Sequence, residues 1–473
     1  MMPRLLTYTA LGILLFVGYQ WWSRQQPQEP PAAPAALQPK PSSSAPVQVI
    51  TIPARQAEVP ADPALQPVQI PVSPHAATLM EIHQMIEQGK SAEAQTKLQA
   101  LPPEALTDLT VRMNVATLWN NLGVSQSKAG GMAAGLPAYK TSLSINPRNP
   151  TAYLNLVIAY WTLKDSALTP ELVEEAVRLA PNDPMPHVIL AEMLINKDDL
   201  ANANTHLQRA KERAGDSPKA QAYLNFLIAK LEKTEKVEQK FLARESSHFL
   251  VKYNGDENAA VWNSVLEILE DAHREIGQQL GYYPSKPILV VLHTRETFHG
   301  VTGGPAWSDG LFDWIEGRIK VPTQGALTDK AWLTRVLRHE YVHALLHDQM
   351  GGRSRRVPTW LNEGLAMQLA GDPPPDIPEL VRGQVTLINL AHLEGPWTGL
   401  TGSQALVAYL EGNSATKYFV DRYGMDKVRE VLGQLAIGKP FSDAFQDRLF
   451  ITYEDFQRRW SDELNEKLKA GRS

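Results

Sequence analysis

The sequence predicts a multidomain chain: an all-α array of helical repeats, then an α+β domain, behind an N-terminal membrane anchor. Three observations predict it. Large and small residues recur with a 34-residue step between about 116 and 217, strand and helix patterns mix from about Arg244 onward, and an apolar run fills Leu5 to Trp22. At 473 residues the chain is too long for one ordinary core. The expected boundaries are 1–24 for the anchor or signal segment, 25–75 for a linker, 76–243 for the repeats and 244–473 for the α+β domain.

Arg4 precedes the apolar run, and Ser23 and Arg24 close it. The run is barely long enough to span a hydrocarbon core, and Trp21 and Trp22 sit where interfacial aromatics belong. A cleaved signal peptide is the competing reading, but it calls for a shorter apolar stretch followed by a small-residue site. Small residues come only at Ala32 to Ala36, among prolines. The expectation is an uncleaved anchor, in a bacterial inner membrane, with the bulk exported to the periplasm or cell exterior. From Gln25 to Pro74 the chain is rich in Pro, Ala, Gln and Ser, a composition that cannot bury enough apolar surface to fold and reads as a disordered, semi-stiff spacer.

Trp119, Tyr153 and His187 share the 34-residue step, as do Leu122, Leu156 and Leu190, and Tyr139, Val173 and Leu207. Gly123 and Ala191 hold the small position after the leucine, and Pro147 and Pro181 end units. Three units follow, at about 116–149, 150–183 and 184–217, with a trailing helix from Pro218 and an earlier helical pair from Thr78 to Leu101 broken at Gly89. Each helix pair leaves an apolar face that only the next can cover. The period and the W-x2-L-G pattern resemble the tetratricopeptide repeat (TPR). The resemblance implies a concave surface for a protein or peptide partner, and a bare scaffold is the other reading.

Beyond Arg244, Ser247 to Tyr253 and Ile288 to His293 read as strands, with a helix from Ala259 to Leu280 between them. Leu311–Phe312 and Arg318–Val321 read as two more strands around a turn at Glu316-Gly317, and Arg318–Val321 is expected to be the edge to which an extended peptide adds. A further helix is expected over Ser403 to Tyr423.

There is no cysteine, so a metal site can use only His, Asp and Glu, and neither a disulfide nor a thiol nucleophile exists. The net charge of −5 gives no drive toward nucleic acid. A helix expected from Thr328 to His347 contains His339-Glu340-Tyr341-Val342-His343. Histidines at i and i+4 share a face and can share an ion, while the glutamate beside them is placed as a general base for water. Val357-Pro358-Thr359-Trp360-Leu361-Asn362-Glu363-Gly364-Leu365-Ala366 then starts a second helix, whose Glu363 completes a His2Glu set with one open position.

H-E-x-x-H followed by W-L-N-E-G-L-A resembles the gluzincin branch of zinc peptidases, the peptidase MA-like domain, over about residues 245–470. The resemblance implies a zincin-like fold, zinc (Zn2+) held by His339, His343 and Glu363, and Glu340 as the catalytic base that activates a zinc-bound water. A second donor to the developing oxyanion is expected from Tyr409 or Tyr418, with Tyr409 preferred. His347 is expected to meet the helix dipole and not the metal, and Asn362 either orients a ligand or merely sits in the first turn. Arg353, Arg355 and Arg356 are expected to form a solvated basic loop. The function expected is a zinc-dependent metallopeptidase acting on a peptide or protein substrate. The competing readings are an inactive repeat scaffold of the cell envelope whose peptidase domain still binds metal, and an adaptor whose H-E-x-x-H is accidental.

Overall fold

The computed structural model describes residues 65–68, 74–215, 217–255, 259–302, 310–322, 329–351, 356–371, 387–397, 400 and 402–470. The expected anchor and most of the expected spacer lie outside them. Among the described residues no helix is long and apolar enough to cross a membrane. The contacts divide the chain into two units, one ending at Glu235 and one starting at Lys236.

The first unit is all helix. α1 (Ala76–Glu87) and α2 (Ser91–Gln99) come first, then the pairs α3 (Leu109–Gly130) with α4 (Met132–Ile145), α5 (Pro150–Leu163) with α6 (Pro170–Leu179), and α7 (Met185–Ile195) with α8 (Leu200–Arg213), before α9 (Pro218–Glu238). Side chains of Asp108, Asn149, Thr169 and Asp199 accept from the third N–H beyond them, so α3, α5, α6 and α8 start on capped ends. Gly89 turns the chain between α1 and α2 at φ +74°, a conformation that costs glycine nothing. The small position after Leu122 has a packing cause: a Cβ on Gly123 would lie 2.6 Å from the Tyr139 ring, and one on Gly135 would lie 2.4 Å from the Gly123 carbonyl oxygen. The backbones of α3 and α4 therefore touch, and Tyr139 is sealed between them.

The second unit is a mixed five-stranded sheet with helices. Its strands are β1 (Phe241–Glu245), β2 (Phe249–Asn254), β3 (Ile288–His293), β4 (Leu311–Asp313) and β5 (Arg318–Pro322), in the order β1-β2-β3-β5-β4. β2, β3 and β5 run parallel, while β1 and β4 are antiparallel flanks. α10 (Ala259–Leu280) buries Val261, Val265, Ile268, Leu269, Ala272 and Ile276 in the same core as Phe249, Val251, Val290, Ile319 and Val321 of the strands. α11 (Arg295–Thr302) follows β3, and α12 (Lys330–Gln349), α13 (Thr359–Ala370), α14 (Gly402–Tyr423), α15 (Met425–Ala436), α16 (Phe441–Leu449) and α17 (Tyr453–Ala470) complete the unit.

Two expectations change here. Arg318–Val321 is not the edge: β5 is paired on both sides, and β4 ends the sheet. Every residue of β5 is buried, Arg318 and Lys320 included. The cause is a balanced ionic layer, because the side chains of Arg318 and Lys320 are fully buried among Glu238, Glu316 and Asp313. Lys252 also reaches Glu238, at 2.7 Å. Strand β1 was not foreseen either. It is a largely exposed flank with no apolar alternation, held by register pairing to β2.

Each cation of this layer is held in low dielectric by a carboxylate, so deleting one partner strands a buried charge. Glu238→Ala is expected to lower the unfolding free energy by about 3–5 kcal/mol. Urea unfolding of the full chain measures it, and a loss under about 1 kcal/mol would mean that water reaches the layer.

Candidate metal centre

α12 begins where the Asp329 side chain accepts from the Trp332 N–H at 2.8 Å, and it ends at Gly351 with φ +61°. Its apolar stripe packs on the sheet and α10, with Leu333, Val336, Leu337, Tyr341, Leu345 and Leu346 all buried. Tyr341 anchors the helix from behind, its hydroxyl 3.1 Å from Nδ1 of His273. His339 and His343 share a helical face with Val336 and Leu346, which lie three and seven residues from them, and their ring centroids are 4.9 Å apart.

Glu363 arrives from α13. Pro358 stands just outside that helix, and its carbonyl oxygen accepts from the N–H groups of Leu361 and Asn362. Trp360 is wholly buried, donates through Nε1 to the Tyr453 hydroxyl at 2.9 Å, and packs on Tyr453, Phe456 and Phe441. On its other side α13 crosses α14 at backbone contact: a Cβ on Gly364 would stand 2.0 Å from Thr416 Oγ1 and 2.5 Å from the Gly412 carbonyl oxygen.

The outcome is convergence. Nε2 of His339 and Nε2 of His343 each lie 3.5 Å from Oε2 of Glu363. Candidate ligand atoms of the three residues all lie within 4.8 Å of one another. Their side chains are 19%, 12% and 18% exposed, while Oε2 of Glu363, the atom both rings approach, is buried. Nδ1 of His343 donates to Asn362 Oδ1 at 3.0 Å. With Nδ1 engaged there, Nε2 is the nitrogen that turns to Glu363, and in the neutral ring it is the one able to ligate. Two imidazoles and a carboxylate suit zinc, and by donor chemistry and spacing the residues fit a divalent ion.

Electrostatics follow from closeness. Burial pushes the Glu363 carboxyl up, but the two histidines outweigh it and hold the group well below the usual carboxylate range. Burial lowers His343, and the charge and hydrogen bond of Glu363 more than reverse that, so its net shift is upward. Glu340 is raised by burial, with both histidines and an N–H from Phe312 pulling it back. The link to Phe312 places β4 over α12. Gly310, just before β4, is the close approach, since a Cβ there would lie 3.1 Å from Glu340 Cγ and Oε1.

Tyr409 of α14 faces the same centre. Its hydroxyl is raised well above the ordinary tyrosine value by the Glu363 charge, by burial and by Glu340. Its ring meets Trp397 edge-on at 5.0 Å. Tyr418 does not come to the site: it packs on Phe456, and its neighbours are Tyr423 and Glu463. His347 is not among the converging residues, and its ring meets Phe312 at 5.0 Å. Arg353 and Arg355 lie outside the described residues. Arg356 departs from the expected solvated loop, because its Nη1 donates to the carbonyls of Leu435 and Ala436 at the end of α15. Sequence reasoning missed Gly310, Trp397 and Gly412, which act through backbone proximity and ring packing and leave no motif. It also missed Glu411, buried on α14 and accepting from the Ile388 N–H at 2.8 Å.

Gly364→Ala is expected to force α13 and α14 apart, costing about 1–3 kcal/mol of stability and lowering metal uptake together. Urea unfolding beside metal content checks this, and unchanged uptake would show that the crossing does not set Glu363. Glu411 offers a pH test. Burial raises its pKa to about 8, against about 4.3 for a free glutamate. Between those values the folded chain keeps a proton that the unfolded chain has released. This contribution to stability is full below the lower value and is lost as pH rises toward the upper one, by up to about 1.4 kcal/mol per pH unit. Glu411→Gln is expected to flatten that slope, and parallel slopes in urea unfolding from about pH 5 to about pH 8 would contradict it.

No curated protein matches the chain. The family model described as Peptidase MA superfamily matches residues 292–466, from the end of β3 into α17, and so spans α12, α13 and α14 with all the residues that converge here.

Proposed function

We propose that the second unit is a zinc-dependent metallopeptidase of the gluzincin type, with His339, His343 and Glu363 as metal ligands. The observation that carries the reading is the approach of both imidazole Nε2 atoms to one Glu363 oxygen, with Glu340 beside them on the same helix. Zinc in that set supplies Lewis acidity and makes water a nucleophile near neutral pH. Glu340, buried and raised, takes the proton of the attacking water and hands it to the departing amine. The Phe312 N–H and the Gly310 backbone hold its carboxylate in one place while it does so. Tyr409 stays protonated because two carboxylates face it, and its O–H donates to the carbonyl oxygen as charge develops there. Trp397 orients that ring. β4, at the end of the sheet and over Glu340, is where an extended peptide adds as a further strand.

The helix pairs of the first unit serve this reading as a binding arm for a protein or peptide partner. Membrane attachment and export rest on the apolar run from Leu5 to Trp22 alone.

Elemental analysis of the full chain is expected to give about one zinc per chain, lost in Glu363→Ala. Glu340→Gln is expected to keep the metal and to lose peptide hydrolysis by about 10²–10⁴-fold. Tyr409→Phe is expected to lose about 10²–10³-fold in kcat. Wild type and Glu340→Gln equally inert on a broad peptide library, both with metal, would replace the hydrolase by a metal-binding scaffold. Absence of metal from both would end the proposal.

A further inference from the structure

A short stretch of the expected spacer, Leu65-Gln66-Pro67-Val68, is held by side-chain amides of the helix pairs. Its residues alternate in exposure: Leu65 and Pro67 face out, while Gln66 and Val68 are half-buried, with Val68 packed on the apolar cluster of α1 to α4. The Gln66 N–H donates to Asn121 Oδ1 at 2.8 Å, and Asn121 Nδ2 donates to the Gln66 carbonyl oxygen at 2.8 Å. Asn121 thus pairs with the backbone as a neighbouring strand would. The Gln66 side chain is read in the same reciprocal way by Asn149, with Nε2 to Oδ1 at 2.7 Å and Asn149 Nδ2 to Oε1 at 2.9 Å.

These amides are built into the unit. Asn121 and Asn149 are 2% exposed, and Asn120 and Asn155 are fully buried. Asn155 Nδ2 donates to Asn120 Oδ1 at 2.8 Å, and Asn120 Nδ2 to Asn121 Oδ1 at 3.2 Å, which orients Asn121. Asn149 is held by Ser142 Oγ at 3.4 Å and by the Ala152 N–H that it caps. A row of buried amides inside a helical array is costly unless each is satisfied. Here the last two of the row are completed by a passing extended segment. Asn121 and Asn155 also hold the same place in successive 34-residue units, so the row follows the array.

We propose that Asn121 and Asn149 form a recognition site for an extended peptide of the pattern Gln-x-Val, occupied in this chain by its own Leu65–Val68 and open to a competing segment when that stretch leaves. Asn121 reads backbone without regard to side chain. Asn149 selects an amide, since a glutamate at that place has no N–H to give Asn149 Oδ1. Proline is accepted at x because none of these hydrogen bonds uses that residue's N–H. The proposal goes beyond the hydrolase reading and does not depend on it, because its assay reads binding and not cleavage.

The test titrates a fluorescent peptide of residues 62–71 into the full chain, into a Gln66→Ala/Val68→Asp variant, and into that variant with Asn121→Ala. Freed from the internal competitor, the linker variant is expected to bind at least about tenfold tighter than wild type. Asn121→Ala is expected to remove the gain, and a peptide carrying Gln66→Glu to bind about tenfold or more weakly. Circular dichroism confirms that each variant is folded; if Asn121→Ala is not, the Gln66→Glu peptide carries the specificity test. No binding by the folded linker variant overturns the site. Equal binding by wild type and linker variant overturns internal occupancy, and equal binding of the Gln and Glu peptides overturns the selectivity.

Discussion

A carboxylate and two imidazoles can share a space of a few ångströms only if their backbones leave them no alternative. In the second unit that constraint falls on α13. Trp360 pins one side of the helix into an aromatic nest from α16 and α17, and Gly364 lets α14 press against the other side at backbone contact. Glu363 lies between these two anchors and has little freedom except toward His339 and His343. Glycine is the one residue that permits such a crossing, since a single Cβ would overlap both Thr416 and the Gly412 carbonyl. The same crossing carries Tyr409, one turn before Gly412, into the field of Glu363.

Charge is organised in both layers of this unit, with different consequences. Behind the sheet, Arg318 and Lys320 meet Glu238, Glu316 and Asp313 in a sealed layer, where pairing offsets desolvation. At the centre the His339, His343 and Glu363 side chains keep 12–19% exposure, and Glu363 and Glu340 face two imidazoles that are cationic only when protonated. The strand β4 connects sheet to site, because its Phe312 N–H holds Glu340 while the strand itself ends the sheet.

Legibility in the sequence followed the range of the forces involved. The 3.6-residue period put His339 and His343 on one helical face, and Pro358-Thr359 signalled a second helix start close to the observed Thr359. The buried stripe of α10 could be read residue by residue. Strand β1, by contrast, has no internal pattern, and its place comes from pairing with Phe249–Asn254 across a turn. The order β3-β5-β4 is equally silent in the sequence, so the wrong strand was read as the edge. Tyr409 and Tyr418 lie on one predicted helix with similar surroundings in sequence, and only the crossing of α13 and α14 tells them apart.

By itself, then, the sequence determined what local periodicity and residue chemistry control: helical patterns with a 34-residue step, a mixed α and β second half, and a set of His and Glu residues at metal-ligand spacing in a chain without cysteine. Tertiary structure decided which carboxylate meets which imidazole, which tyrosine faces them, which strand ends the sheet, and that Gln66 of the spacer lies against Asn121 and Asn149. The physical reason is distance along the chain. Helix faces are set by neighbours three and four residues away, whereas contacts such as Glu363 with His343, or Gln66 with Asn149, depend on how whole elements pack and on the glycines that let them touch.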